Sequence, residues 1–167
     1  MKKKILVLGS GGREHAFVWS LKKDKNISKI YCAPGNGGTK DIAVNIDLDI
    51  NKPNAVLKFA RENNVDLTIV GPEAPLEKGI VDCFEKANQL IFGPSKYASQ
   101  LETSKIFARK FAEECGIKVP EIYESGEDHL SFVPDENIPE QFIIKPSNWW
   151  HSAAIIGNHG HWDTFKD

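Results

Sequence analysis

Long hydrophobic runs are absent from this sequence, and so is an excess of either charge. No stretch approaches the roughly 18 apolar residues of a membrane span. Met1-Lys2-Lys3-Lys4 before Ile5-Leu6-Val7-Leu8 imitates a signal peptide, but the apolar run stops at Gly9, well short of the roughly 7–15 residues such a segment needs. Lys and Arg number 21 against 23 Asp and Glu, a formal net charge of −2. That balance gives no general basic field for nucleic acid or an acidic lipid surface, so any anion must be held by local geometry. Cysteine is scarce as well. Cys32, Cys83 and Cys115 are odd in number, far apart and without a Cys-x-x-Cys pair, which argues against a disulfide framework and a zinc site. There is no internal repeat and no low-complexity tract. A soluble, cytoplasmic protein with neither a nucleic-acid nor a membrane partner is expected.

What is present is a globular composition, 41% hydrophobic and 26% charged over 167 residues, enough for one ordinary core and hardly two. Short apolar runs alternate with amphipathic stretches across Gly- or Pro-marked turns. Strands are expected at 5–8, 30–33, 67–70 and 90–92. Helices are expected at 14–23, from Pro53 to about 63, and at 80–86. At 44–50, Val44, Ile46, Leu48 and Ile50 alternate with polar residues, the pattern of a half-exposed edge strand. This β-α-β order implies an α/β fold, a Rossmann-like doubly wound parallel sheet with right-handed crossovers. The ligand crevice of such a sheet lies beyond the carboxyl ends of its strands. The loops 9–12, 34–39, 71–73 and 93–95 all follow strands and belong to that rim.

The pattern changes after about residue 95. Ser104 reads as the N-cap of a helix to Cys115, closed by Gly116. A short strand is expected at 119–123. The polar stretch 125–140, with Pro134 and Pro139, reads as a linker or surface loop. Residues 142–145 read as a strand that delivers Lys145. The last 22 residues differ again, with three of the four tryptophans and three of the five histidines, and only 153–156 resembles a structural run. The expected organisation is therefore a domain at 1–100, a linker helix and partial second domain at 101–145, and an atypical tail at 146–167.

Gly9-Ser10-Gly11-Gly12-Arg13-Glu14-His15-Ala16 joins a buried strand to a helix. Glycines there admit a ligand close to the backbone, and free N–H groups at a helix start favour an anion; a tight turn without a ligand is the plainer alternative. A dinucleotide is disfavoured, because Glu14 occupies the third glycine position of Gly-x-Gly-x-x-Gly counted from Gly9. The second strand also ends Tyr31-Cys32-Ala33-Pro34, without the ribose-binding acid. A phosphate-bearing small molecule fits better. Pro34-Gly35-Asn36-Gly37-Gly38-Thr39 is a second glycine-rich loop on the same rim. Alone it would read as a turn; beside the first it suggests a backbone cradle for a sugar phosphate. Gly71-Pro72-Glu73 places a carboxylate after a third strand, either a solvated glutamate or a partner for an amine or ribose hydroxyl. Lys105, in the first turn of a helix, and Lys145, ending an apolar strand, are ambiguous between solvated charges and anion ligands. His15 reads as a polar residue of the first helical turn, and His159-Gly160-His161 is a weak metal pattern.

With these motifs the chain resembles the amino-terminal part of the phosphoribosylamine–glycine ligase (glycinamide ribonucleotide synthetase) family of ATP-grasp enzymes. The octapeptide at 9–16, the hexapeptide at 34–39, Gly-Pro-Glu at 71–73, Gly-Pro-Ser at 93–95 and Leu-Glu-Thr-Ser-Lys at 101–105 follow the family's order and spacing, and the likeness extends over about 4–145. The resemblance implies a purine-biosynthetic ligase. In that reaction ATP, with magnesium, phosphorylates the glycine carboxylate. The amine of 5-phosphoribosylamine then attacks the acyl phosphate, giving glycinamide ribonucleotide, ADP and phosphate. It also implies substrate-side roles for Gly11, Gly12, Arg13, Glu14, Gly35, Asn36, Gly37, Pro72 and Glu73, and nucleotide-phosphate roles for Lys105 and Lys145. It assigns no residue here as catalytic or as a metal ligand. After the lysine matched by Lys145 the family continues Ala-Asp-Gly-Leu-Ala and a Gly-Lys-Gly stretch, whereas this chain reads Pro146-Ser147-Asn148-Trp149-Trp150-His151. Half an ATP site cannot position an in-line phosphoryl transfer, so the expectation is a truncated ligase, inactive alone, that binds ATP and magnesium unproductively if at all. The alternatives are a stand-alone phosphoribosyl-binding module or regulator, and one chain of a split ligase whose partner carries the missing ATP-grasp part. Self-association over the apolar surface left by the missing part is a further expectation.

Overall fold

The computed structural model describes residues 2–119, 141–144, 155–158 and 161–164. The chain divides into two compact units, Met1–Gln100 and Leu101–Asp167.

The first unit is built on β1 (Lys3–Gly9), β2 (Ile27–Pro34), β3 (Val44–Asn45), β4 (Leu67–Val70) and β5 (Ile91–Phe92). They form one parallel sheet in the order β3-β2-β1-β4-β5. The chain first grows outward from β1 to β3, then returns and grows the other way through β4. The reversal falls between β1 and β4, which makes their carboxyl ends the topological switch point.

β1 lies in the middle, and Ile5 to Gly9 are all buried, because both sheet faces are covered there. On one face α1 (Gly12–Leu21) brings Val18 against Ile5, Val7, Ile30 and Cys32. On the other, α2 (Pro53–Glu62) and α4 (Ile80–Lys86) bring Val56, Ala60, Ile80 and Phe84 against Leu6, Leu8, Tyr31 and Ala33. Each Val, Leu, Ile or Phe among them contributes about 1.5–3 kcal/mol by leaving water. Tyr31 and Phe59 add an edge-to-face pair, with centroids 5.3 Å apart.

The helices at 53 and 80 and the strand at 67–70 occur as the sequence predicts. The expected strands at 5–8 and 30–33 are longer at both ends, and the expected helix at 14–23 begins and ends two residues earlier. The expected edge strand at 44–50 is a correction: only Val44 and Asn45 pair with β2. Ile46, Leu48 and Ile50 alternate because an extended segment lays one side on the α2–α4 core, without a ladder beyond the Ile46 N–H bond to the Cys32 carbonyl.

Two helices were not expected from the sequence. α3 (Glu73–Glu77) carries Pro75 in its first turn, where a missing N–H removes no helical bond. α5 (Lys96–Thr103) follows the Gly93-Pro94 turn. Gly79, in a left-handed conformation with φ 75°, joins α3 to α4.

In the second unit α6 (Lys105–Glu114) has the expected cap: the Ser104 hydroxyl accepts from the Phe107 N–H at 3.2 Å, and Gly116 beyond the helix has φ 72°. β6 (Gln141–Ile144), β7 (Ile155–Asn158) and β8 (His161–Thr164) form an antiparallel sheet in that order. The tail is therefore more regular than its sequence suggested. Lys145, the stretch at 125–140 and, apart from Val119, the expected strand at 119–123 lie outside the described residues.

Candidate functional site

Three of the four rim loops expected from the sequence stand side by side at the switch point, after β1, β2 and β4. The first is organised by Glu14. Its side chain is almost fully buried; one carboxylate oxygen accepts from the Gly11 N–H at 2.7 Å and the other from Arg13 Nε at 3.0 Å. The bond to Gly11 is the reciprocal half of a capping box, with the acid in the first turn of α1.

Two glycines of the neighbouring strand ends exist for this carboxylate. A Cβ on Gly9 would lie 2.6 Å from Glu14 Cγ, and one on Gly71 would collide with Glu14 Oε1. Both thus admit a protein side chain, whereas the sequence suggested that the first loop's glycines, Gly9 among them, admit a ligand. Gly12 and Gly37 are different: no atom stands within 4 Å of a Cβ built on either, so both face open space.

Arg13 is half exposed and spans two carboxylates, with Nη1 3.3 Å from Glu73 Oε1 as well as the bond to Glu14. The hydrogen bond to Glu14, joined by the charge of Glu73, raises its pKa above the ordinary value for arginine, so the guanidinium remains charged. Pro72 is the N-cap of α3 and Glu73 its first residue; the short helix after β4 thus aims this buried acid at Arg13.

The second loop is fastened to the first. Asn36 Nδ2 donates to the Ser10 carbonyl at 2.9 Å and the Gly11 carbonyl at 3.3 Å, and the Gly35 N–H donates to the Gly9 carbonyl at 3.1 Å. Asn36 thus acts here as a strut between loops, its amide hydrogens already engaged. Among the described residues no acceptor meets the N–H groups of Gly37 and Gly38. The first turn of α1 likewise leaves the N–H groups of Gly12 and Arg13 without intrahelical acceptors. Two sets of backbone donors therefore lie on two loops fastened to each other, next to an arginine.

Residues outside the expected site set complete the loop. Thr39 is fully buried, accepts from the Asn36 N–H and donates to either the Asn36 carbonyl or Asn45 Oδ1. Asn45 holds the Asn36 carbonyl, and His15 occupies the space that a side chain on Gly38 would need. The single Asn and Thr that flank Gly37-Gly38 are a usable signal for Thr39; nothing local marks Asn45. Cys32 lies beneath, its thiol 3.6 Å from the Gly9 carbonyl and its pKa pushed up by burial, which suits structure rather than reactivity. All three cysteines are free.

Lys105 is the first residue of α6 in the second unit, and Lys145 lies outside the described residues. A shallow hollow of about 580 Å3 between α2 and α4, lined by Asn54, Leu57, Asp82, Cys83, Lys86 and Lys96 among others, contains none of the expected site residues.

Comparison with known proteins bears on this arrangement directly. The family model described as phosphoribosylglycinamide synthetase, N domain, matches residues 3–102. The chain belongs to that family. A phosphoribosylamine–glycine ligase from Clostridium acetobutylicum is 45% identical over 155 residues, which cover 92% of this chain and 37% of that protein. One from Caldanaerobacter subterraneus is 49% identical over 107 residues, 64% of this chain and 26% of that protein. The chain spans about a third of the length of the curated relatives it matches. The crystal structure of a phosphoribosylamine–glycine ligase from Thermotoga maritima aligns over 71% of this chain and 26% of that one, with a TM-score of 0.51 and 27% identity. N5-carboxyaminoimidazole ribonucleotide synthetase from Thermus thermophilus shares the fold at a TM-score of 0.50 and 19% identity, over 70% of this chain and 31% of that one. The Rossmann-like parallel sheet is thus the fold that the family's amino-terminal domain implies. No helix among the described residues is long and apolar enough to cross a membrane.

Proposed function

We propose that this chain forms the substrate side of a phosphoribosylamine–glycine ligase of purine biosynthesis and holds the phosphorylated pentosylamine in the crevice between the loops after β1, β2 and β4. The observation that carries the reading is the pair of open backbone-donor sets, around Gly12–Arg13 and Gly37–Gly38, on two loops joined by Asn36. Unspent N–H groups at a helix start are suited to a phosphate. The other end of the crevice has a different character. One guanidinium faces two carboxylates there, a net negative balance that disfavours phosphate and suits an amine or ribose hydroxyl at Glu73. Phosphate at the amide end and the amino sugar toward Glu73 follow from that polarity.

The chemistry left to these residues is positioning. In the complete ligase, ATP and magnesium activate the glycine carboxylate. Among the described residues, no group of three His, Cys, Asp or Glu side chains converges on a common point, and Lys105 is the one described lysine of the pair expected at the nucleotide. Lys145 lies outside the described residues, and magnesium at a nucleotide takes only one or two carboxylates beside the phosphates, so the role proposed for the described residues is confined to the sugar phosphate. The region 1–100 is the substrate-side domain in this reading, 101–145 the beginning of the grasp, and 146–167 a tail of separate character. A cytoplasmic setting accords with three free thiols, which reducing compartments preserve.

Calorimetric titration with ribose 5-phosphate, in the absence of ATP, tests the reading. Saturable binding that is lost in Gly12→Val supports it, and heats that stay at the dilution baseline reject it. Turnover of glycine and phosphoribosylamine that arises only on adding a polypeptide carrying the remaining ATP-grasp part would identify a split ligase. Binding without such turnover would exclude the split ligase tested and leave a truncated ligase or a stand-alone module.

A further inference from the structure

The second glycine loop takes its shape from residues that do not border the crevice. Thr39 is fully buried. Its hydroxyl accepts from the Asn36 N–H at 2.8 Å and lies 2.8 Å from Asn45 Oδ1 and 3.0 Å from the Asn36 carbonyl, donating to one of them. Asn45, on the edge strand β3, also donates from Nδ2 to the Asn36 carbonyl at 2.9 Å. The Asn36 side chain closes the circle by accepting from the Thr39 N–H at 2.9 Å. Gly35 is held against the same amide: its φ is 76°, and a Cβ there would lie 2.5 Å from Asn45 Cγ.

We infer that Thr39 and Asn45 are positioning residues of the sugar-phosphate site: a lock that fixes the turn carrying Gly37 and Gly38, and through Asn36 its distance from the first loop. The inference rests on the function proposed above. A turn with glycines at 35, 37 and 38 has more conformational freedom to lose on binding than one with side chains at those positions. The lock removes that freedom before a ligand arrives, so the donors meet the phosphate already arranged. It also explains why β3 pairs at just two residues: Asn45 needs to be brought beside Cys32 on β2, and the segment beyond it has no such task.

The test compares the intact chain with Thr39→Val, which is isosteric but lacks the hydroxyl, and with Thr39→Ser, which restores it. Affinity for ribose 5-phosphate is read by calorimetry and the Gly37 and Gly38 amides by nitrogen-15 spectra. Thr39→Val is expected to weaken binding about tenfold, roughly 1.4 kcal/mol, and to displace both glycine resonances; Thr39→Ser is expected to return both toward the parent. A folded Thr39→Val with parental affinity overturns the inference, whatever its spectrum. Should Thr39→Val not fold, Asn45→Asp makes the same comparison, because it keeps the acceptor for Thr39 and loses the donor to Asn36; the same tenfold loss is expected, and parental affinity overturns the lock. If the parent chain binds no ribose 5-phosphate, the proposed function fails. The spectra then decide the lock alone: unmoved glycine resonances in Thr39→Val overturn it, and displaced resonances rescued by serine support it.

Discussion

Replacing Gly71 by alanine tests the central role of Glu14. Gly71 has no left-handed backbone to strain, so the whole effect of the added methyl group is contact. Its Cβ would lie 2.5 Å from Glu14 Cδ and 2.6 Å from Cγ. Ordinary contact begins near 3.4 Å, so the carboxylate must retreat by at least about 0.9 Å, the difference from 2.5 Å, and further for the nearer Oε1. Such a retreat cannot preserve both the 2.7 Å bond from the Gly11 N–H and the 3.0 Å bond from Arg13 Nε. Overpacking costs about 1–3 kcal/mol, and a lost hydrogen bond to a charged group about 1.5–3 kcal/mol. Because relieving one incurs the other, the expected destabilisation is about 2–4 kcal/mol rather than their full sum. In a Glu14→Ala background the obstructing side chain is gone, and Gly71→Ala is expected to cost less than about 0.5 kcal/mol, the usual scatter of additive sites. Urea denaturation of the four proteins, followed by far-ultraviolet circular dichroism, gives the double-mutant cycle. Equal costs for Gly71→Ala in the two backgrounds would refute the claim that Gly71 is small because of Glu14.

Gly12→Ala meets no atom within 4 Å, so it is expected to leave stability unchanged or raise it by up to about 1 kcal/mol, while weakening ribose 5-phosphate binding in calorimetry; a loss of stability without a change in binding would contradict the open-face reading. Phe84 is fully buried between α4 and the sheet, and Phe84→Ala is expected to cost about 3–5 kcal/mol in urea denaturation. Asp66 has its pKa lowered by hydrogen bonds from Lys3 Nζ and then the Lys4 N–H. Its contribution is therefore present above the ordinary unfolded value near 3.9 and lost as pH falls through the lower folded value. Asp66→Asn is expected to flatten that part of the acid limb of melting temperature against pH, and superimposable limbs would exclude the role.

The parts of the fold that the sequence reveals are those bounded by unambiguous turns. Leu67–Val70 before Gly71-Pro72, and Ile80–Lys86 after Gly79, fall where the apolar spacing puts them. The segment at 44–50 misleads because alternation reports which side of an extended chain is wet, and not whether a partner strand supplies hydrogen bonds. α3 is hidden by Pro75, whose position in the first turn makes it harmless. The site divides in the same way. Glycine-rich loops after buried strands are visible in sequence, and so is their placement on one rim. The reason for each glycine is not. Gly71 makes room for a glutamate 57 positions earlier in the chain, Gly35 for Asn45 on β3, and Gly38 for His15; such pairings exist only once the sheet has brought the loops together. For the same reason Asn36, read from sequence as a ligand contact, stands in the structure as a strut between the loops.

The most direct measurement is calorimetric titration of the chain with ribose 5-phosphate, repeated on Gly12→Val and on Lys58→Ala as a remote surface control. The expected result is a saturable one-site isotherm that Lys58→Ala retains and Gly12→Val loses. A folded parent chain that shows no saturation well into the millimolar range, where binding is worth only about 4 kcal/mol, would contradict the assignment of the two glycine loops as a sugar-phosphate cradle.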